Sequence, residues 1–151
     1  MRASLDTNIL AYAEGIGDDA KQRASKALIQ AAPSSSFVIP MQCLGELFRV
    51  MTGKARRDVA SARTVIMRWA TAYETVGSSR AAFHSAVDMA TNHSVQSWDA
   101  LILAVAAEQQ CQLLISEDMQ HGFTWCGVTI VNPFLEPKHP LLQALLMGKN
   151  G

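Results

Sequence analysis

Charge is scarce in this chain. Asp, Glu, Lys and Arg together make up 17% of its 151 residues, low for a small soluble domain. The scarcity is balanced, 13 basic residues against 13 acidic, so net charge gives no reason to expect generic attraction to a polyanion. A surface so poor in charge implies that part of it is covered by another protein. Cysteine is rare too. Cys43, Cys111 and Cys126 are odd in number and widely spaced, with no CxxC pair. That gives no zinc-like spacing and suits a reducing cytoplasm. Cys43 and Cys111 lie in apolar stretches and read as small buried hydrophobes. Long apolar runs are missing as well. The longest, Ala100–Ala107, is far too short to cross a bilayer as a helix, and Asp6 arrives before the apolar core of a signal peptide can form. There is no internal repeat or low-complexity tract. The expectation is a cytoplasmic, non-membrane protein of one ordinary domain. Its hydrophobic content of 49% is ample for a single core that buries roughly 68–70% of the unfolded surface.

Strand-like and helix-like stretches alternate. Ala3–Leu5, Phe37–Ile39, Glu74–Val76, Gln112–Ile115 and Val128–Val131 read as strands. A helical start follows Asp6 and is interrupted by Gly15 and Gly17; a helix from Asp19 to about Gln30 comes next. Pro40 opens another, because the first turn does not need its missing N–H. In it Leu44, Leu47, Phe48 and Met51 recur at core-facing spacing, and Glu46 points off that stripe. Lys54 to about Ala72 reads as a long basic helix with Val59, Ala62, Ile66 and Trp69 on its apolar side. Ser79–Ala90 is helical, and Ser97 is the expected cap of a largely buried helix on which Trp98, Leu101, Ile102 and Val105 share a face. The alternation predicts an α/β sandwich with a mostly parallel sheet. Such sheets bind ligands at the carboxyl ends of their strands, where strand order reverses.

Four acids stand at strand-to-helix turns or helix–strand boundaries: Asp6 in LDTNIL, Glu46 in CLGELF, Asp99 in WDALIL and Asp118 in SEDMQHG. Three of these windows are strongly apolar, where an unpartnered carboxylate is costly. If the four converge they need cations, and few basic residues lie beside them. Mg²⁺, or Mn²⁺ with similar oxygen ligands, suits such a set and needs neither His nor Cys. Metal-activated water at one or two ions can hydrolyse a phosphodiester. Asn8 and Ser116 are placed to orient the carboxylates, with Glu117 expected outside the centre. Each acid alone has a structural explanation: Asp6 a helix cap, Glu46 an ion pair with Arg49, Asp99 a first-turn acid, Asp118 the start of a turn before Gly122.

Five stretches in order decide between these readings: Leu5-Asp6-Thr7-Asn8-Ile9-Leu10; Glu46 in its helix; Trp98-Asp99-Ala100-Leu101-Ile102; Ser116-Glu117-Asp118-Met119-Gln120-His121-Gly122; and Val131-Asn132-Pro133-Phe134. Through them the chain, over roughly residues 2–134, resembles the PIN-domain ribonucleases, and specifically VapC-type toxins of type II toxin–antitoxin systems. The resemblance implies a PIN-like α/β fold with a five-stranded, mostly parallel sheet flanked by helices. It implies that Asp6, Glu46, Asp99 and Asp118 form the acidic metal-binding quartet, with Asn8 and Ser116 in support. It implies an endoribonuclease toxin using Mg²⁺ or Mn²⁺ on RNA, inhibited by a cognate antitoxin, forming a homodimer, and meeting operator DNA only through that antitoxin. Residues 1–134 would be the nuclease domain and 135–151 a C-terminal tail, packed on the domain or at a dimer interface, with Leu141, Leu142, Leu145 and Leu146 as its apolar stripe.

Residues 49–68 hold six basic side chains against Asp58 alone. Among them Arg49, Lys54, Arg56 and Arg57 are candidates for RNA phosphate or antitoxin contacts, or else form a solvated helix face. Trp69 and Trp98 read as packing residues and His121 as a turn residue beside the acids. A haloacid-dehalogenase-like phosphatase is disfavoured because Asn8 stands where a second acid is required, and a phosphoreceiver domain because this chain has neither the early acidic pair nor an obvious late Lys. The non-enzymatic alternative is an operon-regulating binding partner with a vestigial metal pocket.

Overall fold

Both faces of the central strands are covered, and that is why they are mostly apolar, with Ser4 and Thr129 the buried polar exceptions. The computed structural model describes residues 1–148. In chain order its strands are β1 (Ala3–Leu5), β2 (Phe37–Pro40), β3 (Glu74–Val76), β4 (Leu113–Ile115), β5 (Thr124–Trp125) and β6 (Val128–Val131). Its helices are α1 (Thr7–Ala13), α2 (Asp19–Ala31), α3 (Met41–Thr52), α4 (Val59–Ala72), α5 (Arg80–His93), α6 (Ser97–Glu108) and α7 (Pro140–Met147). Every residue of β1, β2, β4 and β6 is buried, and so is Ala100–Ala106 of α6.

The strands form one sheet in the order β3-β2-β1-β4-β6-β5. The pairs β3–β2, β2–β1, β1–β4 and β4–β6 are parallel, while β5 pairs antiparallel with β6. The sheet is therefore mixed and six-stranded, which corrects the expectation of a five-stranded, mostly parallel one. The unforeseen strand is a two-residue arm closed by Cys126 and Gly127, both at positive φ (46° and 81°). Two consecutive positive-φ residues match the twist of a tight hairpin, where Asn-Gly is the usual sequence signal. Cys-Gly carries no such signal.

A second correction concerns the long basic helix. Chain order here is α3, a turn, then α4: Asp58 caps α4 by accepting the Ser61 N–H at 2.9 Å, and Arg56 has φ 51°. Lys54, Arg56 and Arg57 thus lie on the turn, and Val59 is exposed. At the other end of the chain α7 buries Leu142 and Leu145 in the hydrophobic core, with Leu141 and Leu146 packed against it. The last three residues of the expected tail, 149–151, lie outside the described residues.

One acid ties the first helix to the fourth. Glu14, at the C-cap of α1, accepts from Trp69 Nε1 at 2.8 Å and from Arg68 Nη2 at 3.1 and 3.2 Å. Its backbone carbonyl accepts from Arg57.

The parallel strands are the scaffold and the hairpin an addition to its edge. Leu114→Ala in fully buried β4 should lower unfolding free energy by about 2–5 kcal/mol. Gly127→Ala, with nothing within 4 Å of the new Cβ, should cost only the backbone strain of about 1 kcal/mol. Denaturant titration of both variants checks the ranking.

Candidate functional site

The register of β1 on β4 sets Leu5 beside Ile115, so the next residues, Asp6 and Ser116, emerge side by side at the carboxyl ends of the two strands. Strand order reverses here: the chain leaves β1 toward β2 on one side and returns to β4 on the other. Asp6 is 5% exposed. It is the N-cap of α1, its Oδ1 accepting the Thr7 N–H at 2.7 Å. Its Oδ2 accepts from Ser116 Oγ at 2.7 Å and from Asn8 Nδ2 at 3.2 Å. The helix-cap explanation of Asp6 is thus realised, but only one carboxylate oxygen is occupied by it.

β2, on the other side of β1, runs directly into α3, whose Glu46 faces α1. Thr7 Oγ1 donates to Glu46 Oε2 at 2.7 Å and Gln42 Nε2 to Glu46 Oε1 at 3.0 Å. The ion pair with Arg49 that would explain Glu46 on structural grounds does not form: neither the described salt bridges nor the hydrogen bonds join them. Asp99 sits in the first turn of α6, whose N-cap is Gln96 rather than Ser97. Asp118 follows β4, exposed, and its Oδ2 accepts from Asn8 Nδ2 at 3.2 Å.

Asn8 is the bridge. Its Oδ1 accepts the Glu117 N–H at 3.2 Å, which turns its amide nitrogen toward Asp6, Asp118 and Ser116. The Glu117 side chain points elsewhere, to Tyr12 and Lys21, as expected of a residue outside the centre. Tyr12 itself walls the cavity, and Gly17 lies flat against its ring: a Cβ there would meet Tyr12 Cε1 at 2.8 Å.

Asp6, Glu46, Asp99 and Asp118 all line one open cavity of about 990 Å³, together with Asn8, Arg49 and Lys54. Their charges act on one another. Burial pushes the Asp6 carboxyl up from 3.8 to about 6; the Ser116 and Thr7 hydrogen bonds oppose this, and the charges of Asp99 and Glu46 add to it. Asp99 is raised too, by burial first and then by Glu46 and Asp118. Yet among the described residues no group of three or more His, Cys, Asp or Glu side chains is drawn closely enough together to hold a metal ion as it stands. The acids share a chamber but are held apart, Asn8 between two of them and Thr7 and Gln42 on a third.

The basic candidates divide. Arg49 and Lys54 line the cavity. Arg56 is exposed and outside its lining. Arg57 turns instead to the Glu14 carbonyl and Met51 Sδ, because the turn before α4 directs it toward the end of α1. His121 accepts the Asn132 N–H through Nδ1 at 3.0 Å and does not line the cavity. Trp98, read as a packing residue, is 63% exposed and lines the cavity. Helical periodicity places a residue on a face, but no neighbouring element covers that face at the first turn of α6. No sequence motif marks Thr7 or Gln42 as a site residue. Thr7 directly follows the first acid, and Gln42 lies one helical turn before Glu46; those spacings were the available signal.

A protein-family profile described as PIN domain matches residues 3–122. Solved structures share the fold at low identity. A toxin–antitoxin complex from Klebsiella pneumoniae aligns at 21% identity and TM-score 0.65, covering 87% of this chain and 98% of that one. VapC20 of Mycobacterium tuberculosis, described as a sarcin–ricin-loop-cleaving toxin, aligns at 20% and 0.61, covering 74% and 86%. VapBC2 from Rickettsia felis, bound to a DNA fragment from its promoter, aligns at 17% and 0.58, covering 78% and 89%. No curated protein matches.

The Asp6 carboxyl has a consequence for stability. Between 3.8 and about 6 the folded protein keeps a proton that the unfolded chain has released. This group's contribution therefore falls as pH rises through that window and stays reduced above it, by on the order of 3 kcal/mol. Asp6→Asn removes the effect. Without divalent cations, the variant's stability advantage over wild type should grow across that window and then level off. A difference that does not change with pH would mean that Asp6 is not a strained buried acid.

Proposed function

The chain belongs to the PIN-domain family, and from that premise we propose that it is a divalent-metal-dependent endoribonuclease, a VapC-type toxin restrained by a cognate antitoxin. The observation that carries this reading is the convergence of Asp6, Glu46, Asp99 and Asp118, from four separate parts of the chain, on one open cavity. Two of them are raised, Asp6 by burial first and then by the charges of Asp99 and Glu46, and Asp99 by burial first and then by the charges of Glu46 and Asp118. An arrangement that makes carboxylates repel in a partly dry site is destabilising unless a cation joins them.

The donor set fits a hard cation. All four side chains offer carboxylate oxygen, and no His or Cys competes in the cavity lining. Asp6, Glu46 and Asp99 would be the main ligands, with Asp118 completing the set directly or through water. Mg²⁺ or Mn²⁺ bound there would neutralise the acids and supply Lewis-acid stabilisation of charge on phosphodiester oxygens, together with activation of water. The protein's own part is positional. Ser116 and the Thr7 N–H fix Asp6, Thr7 Oγ1 and Gln42 fix Glu46, and Asn8 spans Asp6 and Asp118. The amide of Asn8 occupies the gap between two carboxylates. Arg49 and Lys54 offset the charge of an incoming phosphate.

The partner assignments follow the same reading. Relatives solved as toxin–antitoxin complexes, one of them with promoter DNA, support a cognate antitoxin and operator contact through it. The low charge fraction supports a covered surface, which we assign to a homodimer and the antitoxin. We take residues 1–134 as the nuclease unit and 135–151 as an appended segment. A cytoplasmic site of action accords with the absence, among the described residues, of any helix long and apolar enough to cross a membrane. One observation favours the non-catalytic alternative with a vestigial metal pocket: the acids are not gathered into a coordination group.

Metal binding separates the two readings without reference to activity. Mg²⁺ or Mn²⁺ in excess should raise the unfolding temperature of wild type, as a ligand specific to the folded state must, and should raise that of Asp99→Asn much less. No shift in wild type would favour the vestigial pocket. Purified protein freed of any inhibitor should cleave RNA only when Mg²⁺ or Mn²⁺ is present. Asp6→Asn and Asp99→Asn should each lower that rate by at least about a hundredfold with the fold intact by circular dichroism. Undiminished cleavage by either variant refutes the site.

A further inference from the structure

Trp98 is the cavity residue that folding does not account for. A packed indole buries on the order of 150–250 Å², yet this one is 63% exposed at the start of a helix whose residues Ala100–Ala106 are all buried. Beside it Gln42 shows a second anomaly. The Gln42 amide nitrogen faces two acceptors, Glu46 Oε1 at 3.0 Å and the Trp98 carbonyl oxygen at 3.5 Å. Its Oε1 therefore points away from both, and it is buried with no hydrogen-bond partner among the described residues. A buried acceptor left without a donor is unfavourable and uncommon in folded proteins. An uncovered aromatic face and Gln42 thus lie together on the wall of the same cavity, although the Gln42 Oε1 atom itself is enclosed.

α3 connects this corner to the charged groups. Gln42, Glu46 and Arg49 follow along one helix, and at 1.5 Å rise per residue Arg49 stands about 10 Å along the axis from Gln42; Lys54 lies beyond the helix end. The cavity accordingly passes from aromatic to acid to cation.

We propose that Trp98 forms a nucleobase subsite, in which one unpaired base of an RNA strand stacks on the Trp98 indole beside Gln42. The sugar–phosphate chain then runs past the acids to Arg49 and Lys54. The proposal rests on the nuclease reading above and names the part of the substrate that is read. Bases stack on exposed aromatic side chains only when free of a duplex, so the substrate class is single-stranded RNA or a loop. A protein segment is the poorer fit. An apolar anchor on Trp98 would dehydrate the neighbouring carboxylates of Asp99, Glu46 and Asp118 without pairing them, whereas a base brings a flat apolar face with polar edges.

The test is equilibrium binding of an end-labelled single-stranded RNA decamer of mixed sequence, and of an abasic strand of equal length, followed by fluorescence anisotropy with Mg²⁺. The protein is the Asp6→Asn variant, which keeps the RNA intact, alone and combined with Trp98→Ala or Trp98→Phe. Trp98→Ala should weaken RNA binding roughly tenfold and leave the abasic strand unaffected, and Trp98→Phe should restore most of the loss. Equal RNA affinity with and without the indole overturns the subsite. So does an equal loss on the abasic strand, the absence of RNA binding by every variant, or a loss confined to binding of a protein inhibitor. Wild type that cleaves nothing, beside a base-dependent Trp98 effect, would remove the cleavage reading and keep the subsite. A Trp98→Ala protein that binds and cleaves like wild type would do the reverse.

Discussion

Everything at the carboxyl edge of the sheet is arranged around one buried carboxylate. Asp6 follows the central strand directly, and the β1–β4 register delivers Ser116 to its side. Burying that charge without a cation is unfavourable, and the Ser116 and Thr7 hydrogen bonds reduce the penalty without abolishing it: Asp6 still ends at about 6 against 3.8 for a free side chain. The remaining acids are placed relative to this one. Asn8 reaches from Asp6 to Asp118, and Thr7, the residue that caps onto Asp6, reaches Glu46. One short segment, Asp6-Thr7-Asn8, therefore organises three of the four acids through hydrogen bonds, and Asp99 responds to the set through charge.

Such an arrangement is a compromise between stability and function of a recurring kind. The sheet and α6 supply rigid, fully buried support, while the acid edge stores repulsion. The same support explains why short strands suffice. β1 and β4 have three residues each, but lie between other strands and under helices, so neither end is free to slip.

How much of this was legible in the sequence follows from the range of the forces involved. The buried parallel strands announce themselves as short apolar runs, and α3 by its stripe of Leu44, Leu47 and Met51. The acids were conspicuous because they interrupt apolar windows. What escaped depends on neighbours or on rare backbone. β5 exists because Cys126 accepts positive φ, which its side chain does not advertise. The start of α4 depends on Asp58 winning the capping role after a basic turn. Trp98 sits on an apolar helical face but at a turn that nothing covers, and periodicity carries no information about coverage. Gln42 and Thr7 matter through partners 4 and 39 residues away from them, at Glu46, and only the folded chain brings the second of these into contact.

The knot at Glu14 bears on how the protein meets its surroundings. Arg57 and Arg68, conspicuous in the basic run, are engaged there with the end of α1, leaving Arg49 and Lys54 as the cations on the cavity wall. A polyelectrolyte is held mainly through the counterions it sheds on contact with such groups. With two at the cavity wall, a protein of zero formal net charge has little grip on bulk nucleic acid. If it acts on RNA as proposed, its choice among strands falls to shape and stacking, which ionic strength hardly touches.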